Sequence, residues 1–251
     1  MVLIRQSTFW EYLVDQQNRF LRNKDLIDQE YLTEVHVIGA GGIGSSVVPL
    51  LSIMGFKHIV IYDHDNLKEH NLSSSLYPEM FLDMNKAEAA AIQAREYNPN
   101  IHVDNFGEWW SYMWDSETGM GKKCDLRKVI VCPDNMEVRL DAYDAWKAYI
   151  ETIPGVSNTA FFIDIRMDAL ALEVITVTPY NMDAYENYWK PSKDIEDAPC
   201  TMKHTIFTSS ISAGFGVNQV FNVLGKRPFN EYIWIGLVPL QIKKKGLIIP
   251  K

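Results

Sequence analysis

A glycine-rich segment is the clearest candidate for chemistry in this 251-residue chain. It reads Gly39-Ala40-Gly41-Gly42-Ile43-Gly44 and directly follows the apolar run Val35-His36-Val37-Ile38. Glycines at its first, third and sixth positions let the backbone approach a phosphate closely, and the N–H groups at the start of a following helix attract the anion. The segment therefore predicts a nucleotide site, and the alternative is a tight strand–helix turn that binds no ligand.

A carboxylate lies where such a site needs one. Asp63 comes directly after the second β-rich run, which extends from His58 to Tyr62. At the end of that strand it is placed to accept hydrogen bonds from the two hydroxyls of a ribose, although an aspartate there also caps turns. These residues by themselves leave both NAD and ATP open as the nucleotide.

The elements that must position these residues alternate between strand and helix. Strands are predicted at 35–38, 58–62 and 128–132, and helices at 43–54, 85–97 and 135–150. Gly55 is a typical helix C-cap, and Asn98-Pro99 ends the alanine-rich second helix. This order predicts an α/β fold with a Rossmann-like, mostly parallel sheet and helices on both faces.

The second half of the chain is predicted to extend that sheet. Residues 161–164 predict another parallel strand, 170–178 an antiparallel extension, 205–224 a helix and 232–240 a late strand. Residues 179–199 are expected to form a mobile or partner-facing crossover loop. The sequence Lys243-Lys244-Lys245 is interpreted as a solvated tail.

The length is consistent with one large α/β domain over residues 1–251. Its expected parts are an N-terminal helical segment at 1–34, with an amphipathic helix at 8–22, and a nucleotide-binding core at 35–165. Residues 166–251 then hold the antiparallel extension, the crossover loop and the C-terminal helix.

Composition excludes several classes of function. A net charge of -8 argues against binding to nucleic acid, because displacing counterions from phosphates requires a positive field. No apolar run is long enough to span a bilayer and the N-terminus lacks a signal-peptide core, so we expect a soluble, cytoplasmic protein without a membrane partner. The three cysteines include no C-x-x-C pair, which argues against a disulfide scaffold and a four-cysteine zinc site.

Residues 35–139 carry an ordered set of further motifs. They are Tyr62-Asp63-His64-Asp65, Glu69-His70-Asn71-Leu72, Asn85-Lys86-Ala87, Asn98-Pro99 and Cys132-Pro133-Asp134-Asn135 with Arg139. With the glycine-rich turn before them and Ile165-Arg166-Met167 after them, the sequence resembles the ThiF/MoeB/HesA family of adenylyltransferases, the bacterial relatives of ubiquitin-activating enzymes. A simple dehydrogenase has no reason to carry this set.

The resemblance implies ATP-dependent adenylation of the C-terminal carboxylate of a ubiquitin-like or sulfur-carrier protein or of a peptide, by a homodimer that uses Mg²⁺. The implied ATP-binding residues are Gly39, Gly41, Gly42, Gly44, Asp63, Asp65, Asn71 and Lys86. Lys86 and Asp134 are implied to be catalytic, with Lys86 offsetting phosphate charge and Asp134 as the metal ligand. Taken alone, Lys86 reads as a surface residue and Asp134-Asn135 as a helix N-cap. Arg139 is either a helical surface charge or, as the resemblance implies, a residue with an active-site or structural role.

The sequence departs from the family at the position of its triphosphate-binding arginine. Ser73-Ser74-Ser75 follow Asn71-Leu72, where relatives carry that cation. Arg19 or Arg22 of a second subunit is one replacement, and a weakened or altered adenylation activity is the alternative.

Cys200 is the remaining candidate for covalent chemistry. It stands in Ala198-Pro199-Cys200-Thr201, and similar segments in ubiquitin-activating relatives carry the thioester-forming cysteine. A thiolate there needs a neighbouring cation such as Lys203 or His204, whereas a lone cysteine is more often an inert small hydrophobe. Cys124 and Cys132 are interpreted as structural, and the aromatic run 109–114 as packing rather than a docking surface.

Two other classes of function stay open. A nicotinamide-dependent oxidoreductase would use the same turn but needs a proton donor beside the reactive ring, and the sequence offers no recognisable one. A non-catalytic nucleotide-binding or interaction module is motivated by Ser74 at the position of the family arginine.

Overall fold

The computed structural model of this protein describes residues 19–23, 25–107, 124–153, 158–194 and 205–250. Several predictions concern residues outside these ranges. They are most of the helix at 8–22, the aromatic run at 109–114, and Cys200 with its neighbours Lys203 and His204.

The described residues form one eight-stranded sheet in the order β3-β2-β1-β4-β5-β6-β7-β8. Its strands are β1 (Glu34–Ile38), β2 (His58–Tyr62), β3 (His102–Phe106), β4 (Lys128–Val131), β5 (Phe161–Met167), β6 (Ala171–Val177), β7 (Phe229–Leu237) and β8 (Leu240–Ile248). The first five are parallel and the last three are antiparallel. The predicted α/β class, with a mostly parallel sheet and an antiparallel extension, is confirmed.

Four α-helices lie in the described part of the chain: α1 (Gly44–Met54), α2 (Lys86–Tyr97), α3 (Met136–Thr152) and α4 (Ile206–Leu224). Their ends follow from local sequence. Asn85, Asn135 and Thr205 each accept hydrogen bonds from the first backbone N–H groups of the helix that follows, and Gly55 ends α1 with a φ of 111°. None of these described helices is both long and apolar enough to cross a bilayer.

Helices cover both faces of the sheet. Successive side chains of a strand point to opposite faces, so each face buries its own set of side chains against helices. Val35 and Val37 of β1 belong to a core that also takes its buried side chains from α1, α2 and α4. Ile38 belongs to a second core, which α3 completes with Trp146 and its neighbours on the opposite face. Strand β1, which leads into the glycine-rich turn, is therefore buried on both faces of the sheet.

Two elements differ from the sequence prediction at the C-terminal end. The late strand is a hairpin, in which β7 ends at Leu237 and β8 begins at Leu240. Lys243, Lys244 and Lys245 lie inside β8 and not in a tail, because their backbone pairs with β7 while their side chains remain exposed. The ammonium of Lys243 also lies 4.5 Å from the centre of the Trp234 ring, a cation–π contact that favours the strand.

The described part of the crossover region is packed, so the prediction of a mobile loop is wrong for residues 179–194. Tyr185 is completely buried and its hydroxyl donates to Asp164 over 2.8 Å. The Trp189 indole N–H donates to the carbonyl oxygen of Met136 at the start of α3, over 2.8 Å. Tyr185, Tyr188 and Trp189, which were expected in a mobile or partner-facing loop, instead pack in the second core.

Candidate nucleotide site

The glycine-rich turn lies at the point where the chain changes direction across the sheet. From β1 the chain proceeds outward to β2 and β3, and it then returns to place β4 on the other side of β1. A crevice forms at the carboxyl ends of the strands at such a point, and ligands of open α/β sheets bind there.

Three glycines of the turn are required by the fold: Gly39, Gly44 and Gly42, where a Cβ atom would lie 2.8 Å from the carbonyl oxygen of Ser74. Gly39 has a φ of 94°, and a Cβ atom there would lie 2.7 Å from the backbone nitrogen of Pro133, after β4. A Cβ at Gly44 would overlap the carbonyl oxygen of Gly39. Because these residues lack side chains, β1, α1 and the end of β4 can pack closely against one another, whether or not a ligand binds.

Gly41 is different, because a Cβ atom added there meets no described atom within 4 Å. Packing within the described protein therefore does not require a glycine at this position. No described side chain caps α1, and the N–H groups of Ser45, Ser46 and Val47 donate to backbone carbonyl oxygens, so the N–H groups open to an anion are those of the turn before them. An open glycine beside an uncapped helix start fits the close approach of a phosphate.

Asp63 links the end of β2 to the glycine-rich turn. One carboxylate oxygen accepts the backbone N–H of Ala40 over 2.7 Å and the other accepts that of Asp65 over 2.9 Å. Burial raises the pKa of Asp63 above its usual value, although the charge of Lys86 and the two backbone N–H groups oppose this effect. Each oxygen retains a lone pair, which is the capacity a ribose hydroxyl requires.

Lys86 points into this site and is not a solvated surface residue. Its side chain is only 11% exposed, and its ammonium lies 2.7 Å from the carboxylate of Asp65. Although partial burial would raise it, the pKa of Asp65 is held below its usual range by this hydrogen bond and by the charge of Lys86. Asn85 positions the pair, because its amide donates to the carbonyl oxygens of Asp63 and Asp65 while its oxygen caps α2.

Tyr77 is a site residue that sequence reasoning missed. Its buried hydroxyl donates to the carbonyl oxygen of Ala40 over 2.6 Å and lies 3.3 Å from that of Lys86. Burial raises the pKa of Tyr77 well above its usual value, so the hydroxyl remains a donor. It ties the glycine-rich turn to the start of α2, and no local pattern around Tyr77 in the sequence indicates this role.

The loop that carries Asn71 packs against the glycine-rich turn and the first turn of α1. The Asn71 side chain accepts the backbone N–H of Lys68, which closes a short 3-10 turn. Ser75 donates to the Asn71 carbonyl oxygen over 2.7 Å, and the Ser74 carbonyl oxygen accepts the hydroxyl of Ser209 in α4 over 2.9 Å. These contacts of Ser74 and Ser75 hold the loop together and fasten it to α4.

Asp134 is exposed and follows Pro133, whose backbone nitrogen lies close to Gly39. The helix N-cap is the next residue, Asn135, whose side-chain oxygen accepts the N–H groups of Glu137 and Val138. Asp134 is thus not occupied in capping α3, which leaves its carboxylate available to a ligand.

Arg139 is buried and serves the core, so its interpretation as a surface charge is wrong. Its guanidinium pairs with Asp164 on β5 and donates to the Pro133 carbonyl oxygen. Arg166 pairs with the other oxygen of Asp164, to which Tyr185 also donates. Asp164 is completely buried, and although desolvation opposes it, the two guanidinium groups hold its pKa below the usual range.

Cys132 matches its interpretation as structural. Its thiol is buried and donates to the Gly39 carbonyl oxygen over 3.0 Å. Burial raises the pKa of Cys132 to about 12, which keeps the sulfur protonated and unreactive.

The described arginines beyond the N-terminal segment are committed elsewhere. Arginines beyond the N-terminal segment bond acidic side chains or backbone carbonyls: Arg95, Arg127, Arg139, Arg166 and Arg227. Arg19 and Arg22 are exposed in the N-terminal segment. Within the described site, Lys86 places an ammonium beside Asp63 and Asp65.

Replacement by alanine is expected to have opposite effects at the open Gly41 and at the tightly packed Gly44. Gly41→Ala should leave the free energy of unfolding within about 0.5 kcal/mol of the wild type and weaken ATP binding at least about tenfold, because the new methyl group occupies the phosphate approach. Gly44→Ala should lower the free energy of unfolding by about 3 kcal/mol, because the methyl group displaces the Gly39 carbonyl. Urea unfolding and calorimetric titration with ATP measure both, and normal ATP affinity in Gly41→Ala would contradict the assignment.

Solved structures share this fold. PaaA, solved with selenomethionine, has a TM-score of 0.69 at 18% identity and covers 98% of this chain and 86% of its own. E. coli MccB with ATP has a TM-score of 0.66 at 18% identity, and the match covers 93% of this chain and 72% of MccB. E. coli MccB with MccA-N7isoASN gives 0.66 at 16% identity, covering 93% and 73%. At these identities the likeness shows the fold alone.

Curated relatives include ubiquitin-like modifier-activating enzyme 5 of Drosophila ananassae, which is 30% identical over 116 residues. That match covers 42% of this chain and 29% of the fly enzyme. The Branchiostoma floridae enzyme of the same name is 26% identical over 140 residues, covering 50% and 34%. The matched region therefore spans about a third of the length of these relatives.

The model of the ThiF family matches residues 18–231, which include every described element of the site. The ordered motifs, the sheet order and the position of the glycine-rich turn agree with that match. On this basis the chain belongs to the ThiF family.

Proposed function

We propose that this protein uses ATP to adenylate the C-terminal carboxylate of a ubiquitin-like protein, a sulfur-carrier protein or a peptide. The observation that carries the proposal is the Lys86–Asp65 ion pair beside the open Gly41, at the switch point of a ThiF-family sheet. The relatives named as ubiquitin-like modifier-activating enzymes, and MccB solved with ATP and with MccA, support this class of reaction.

The reaction exchanges one bond at phosphorus for another. A carboxylate oxygen of the acceptor attacks the α-phosphorus of ATP and forms the acyl–phosphate bond. The bond from that phosphorus to the bridging oxygen breaks, and pyrophosphate leaves with the electron pair. The products are an acyl-adenylate and pyrophosphate, with no oxidant, reductant or proton donor required.

The residues of the site supply position and charge, which are the main contributions to such a transfer. Backbone N–H groups around Gly41 hold phosphate oxygens, and Asp63 accepts the ribose hydroxyls. The Lys86 ammonium exchanges its partner Asp65 for a phosphate, which requires only a small movement of a flexible side chain. Asp65 and Asn71 line the nucleotide from the segment after β2.

The residue types at the end of β4 fit Mg²⁺. Asp134 offers an exposed carboxylate that no helix cap occupies, and carboxylate and phosphate oxygens are the ligands this ion prefers. When bound, Mg²⁺ would neutralise charge on the phosphate oxygens as pyrophosphate departs.

Transfer of the acyl group to Cys200 is the finer part of this proposal and rests on the sequence Ala198-Pro199-Cys200-Thr201. The thiolate would attack the acyl carbon and release AMP, leaving a thioester. A homodimer that brings Arg19 or Arg22 of a second copy to the phosphates is proposed with it, because the described arginines elsewhere are engaged.

A second candidate is a nucleotide-binding module without catalysis. The observation in its favour is the packed serine loop at the position of the family arginine, which leaves Lys86 as the described cation of the site. Such a module would bind ATP and release no pyrophosphate.

The test is ATP–pyrophosphate exchange with peptides and small proteins that end in free carboxylates, including products of adjacent reading frames. Exchange that depends on one acceptor, with its acyl-adenylate detected by mass spectrometry, is the expected result. A thiol-sensitive adduct that disappears in Cys200→Ala while exchange persists would assign the transfer step. ATP binding with no exchange for any acceptor would favour the module, and binding of NAD in place of ATP would overturn both.

A further inference from the structure

A second polar cluster lies at the amino-terminal ends of the parallel strands, opposite the carboxyl ends that carry the glycine-rich turn. His58 and His102 are paired in the register of β2 and β3, and Asp104 projects from the same face of β3 two residues later. Glu34 pairs with His58 from β1. About 16 Å of strand separates this edge from the glycine-rich turn, so the cluster plays no part in the nucleotide site.

Three ligand atoms converge in this cluster. Nε2 of His58 lies 3.2 Å from Oδ2 of Asp104, and Nε2 of His102 lies 3.5 Å from the same oxygen. All three atoms lie within 4.8 Å of one another. Tetrahedral zinc with bonds of about 2.0–2.1 Å places its ligand atoms about 3.3 Å apart, so both distances to Asp104 suit ligands of one ion.

The orientation of His58 supports a cation between these atoms. Its Nδ1 lies 2.8 Å from Oε2 of Glu34, a distance at which Nδ1–H donates to the carboxylate. In the neutral ring, Nε2 then carries a lone pair and faces the Asp104 carboxylate, which is also an acceptor. Two acceptors face one another stably only when a positive charge lies between them, either a second proton on the ring or a metal ion.

Glu34 occupies the place of the carboxylate that, in histidine metal sites, bonds the ring nitrogen not bound to the metal. Such sites use a carboxylate on the far ring nitrogen to fix the tautomer and orientation of the metal-binding imidazole. Glu34 is itself held in place, since its other oxygen accepts the backbone N–H of Asp125 over 2.8 Å and lies 2.9 Å from Nε2 of His36. His58 is therefore positioned before any ion binds.

We propose that His58, His102 and Asp104 bind Zn²⁺ at the amino-terminal edge of the sheet, with Glu34 orienting His58. Two imidazoles and one carboxylate suit this metal, and a water molecule completes four ligands. The His102 side chain is 65% exposed and that of Asp104 36%, so the ion enters directly from solvent. Because the ligands come from neighbouring strands, the ion fastens the edge strand β3 to β2.

The experiment uses the full chain without a histidine tag, treated with a chelator and then titrated with Zn²⁺ by calorimetry. We expect one Zn²⁺ per chain, a rise in the thermal midpoint with added Zn²⁺, and the visible absorption of tetrahedral Co²⁺ when that ion is substituted. His102→Ala and Asp104→Asn should each weaken Zn²⁺ binding at least about tenfold. Both side chains are solvent-accessible, so circular dichroism should show the wild-type fold.

His70→Ala is the matched control, because His70 is an exposed histidine in a different segment, and it should bind Zn²⁺ like the wild type. Equal Zn²⁺ affinity in wild type and His102→Ala would overturn the proposal. So would an absence of binding together with nitrogen NMR shifts that show both ring nitrogens of His58 protonated. None of these measurements involves ATP, so they are independent of the adenylation assay.

Discussion

Replacing Asp134 with alanine is expected to lower ATP–pyrophosphate exchange by on the order of a hundredfold or more while the protein remains folded. The loss follows from removing the carboxylate proposed to hold Mg²⁺ against the phosphates. The fold should survive because Asp134 is exposed and Asn135, not Asp134, caps α3. The measurement is exchange with the acceptor found for the wild type, together with ATP affinity in the presence and absence of Mg²⁺.

Asp141→Ala is the control for this prediction, since Asp141 is an exposed aspartate on α3, the helix that follows Asp134. It should retain wild-type exchange and the same dependence of ATP affinity on Mg²⁺. Unchanged exchange in Asp134→Ala would remove Asp134 from the mechanism and return it to the status of a surface residue at the end of β4.

Asp164→Asn is expected to lower the free energy of unfolding by about 3–5 kcal/mol, because it leaves the buried Arg139 guanidinium without a counter-charge and Arg166 with only Glu173, 3.7 Å away. Arg139 and Arg166 both pair with Asp164, whose side chain is 0% exposed. Urea unfolding at neutral pH measures the loss. The same substitution at Asp83, in an ion pair with Lys68 where the aspartate is 82% exposed, should cost less than about 1 kcal/mol.

The pH dependence of this difference has a definite sign. The pKa of Asp164 is lowered in the folded protein, so its ionised form contributes stability that is complete above the unfolded value of about 3.9. The contribution is lost as the pH falls through the lower folded value. The stability difference between wild type and Asp164→Asn should therefore shrink in acid, and a difference that grows there would contradict the buried ion pair.

Local sequence was sufficient wherever one stretch of chain decides its own structure. The helix bounds of α1 and α2 were close to the prediction because Gly55, Asn85 and Asn98-Pro99 act on adjacent backbone. The parallel strands β1, β2, β4 and β5 were recognised because burial on both faces makes them largely apolar. The polar strand β3 was missed, since a sequence such as His-Val-Asp-Asn-Phe becomes a strand only through its pairing with β2.

By itself, the sequence determined the α/β class, the glycine-rich turn and the family, because these depend on residue order and on short-range backbone geometry. Tertiary structure alone decided that Gly41 is open while Gly44 is not, that Lys86 faces Asp65, and that Arg139 is committed to Asp164. It also brought His58 beside His102. Each of these facts depends on which distant strands become neighbours, and the free energy of that pairing comes from burying both faces of the sheet together.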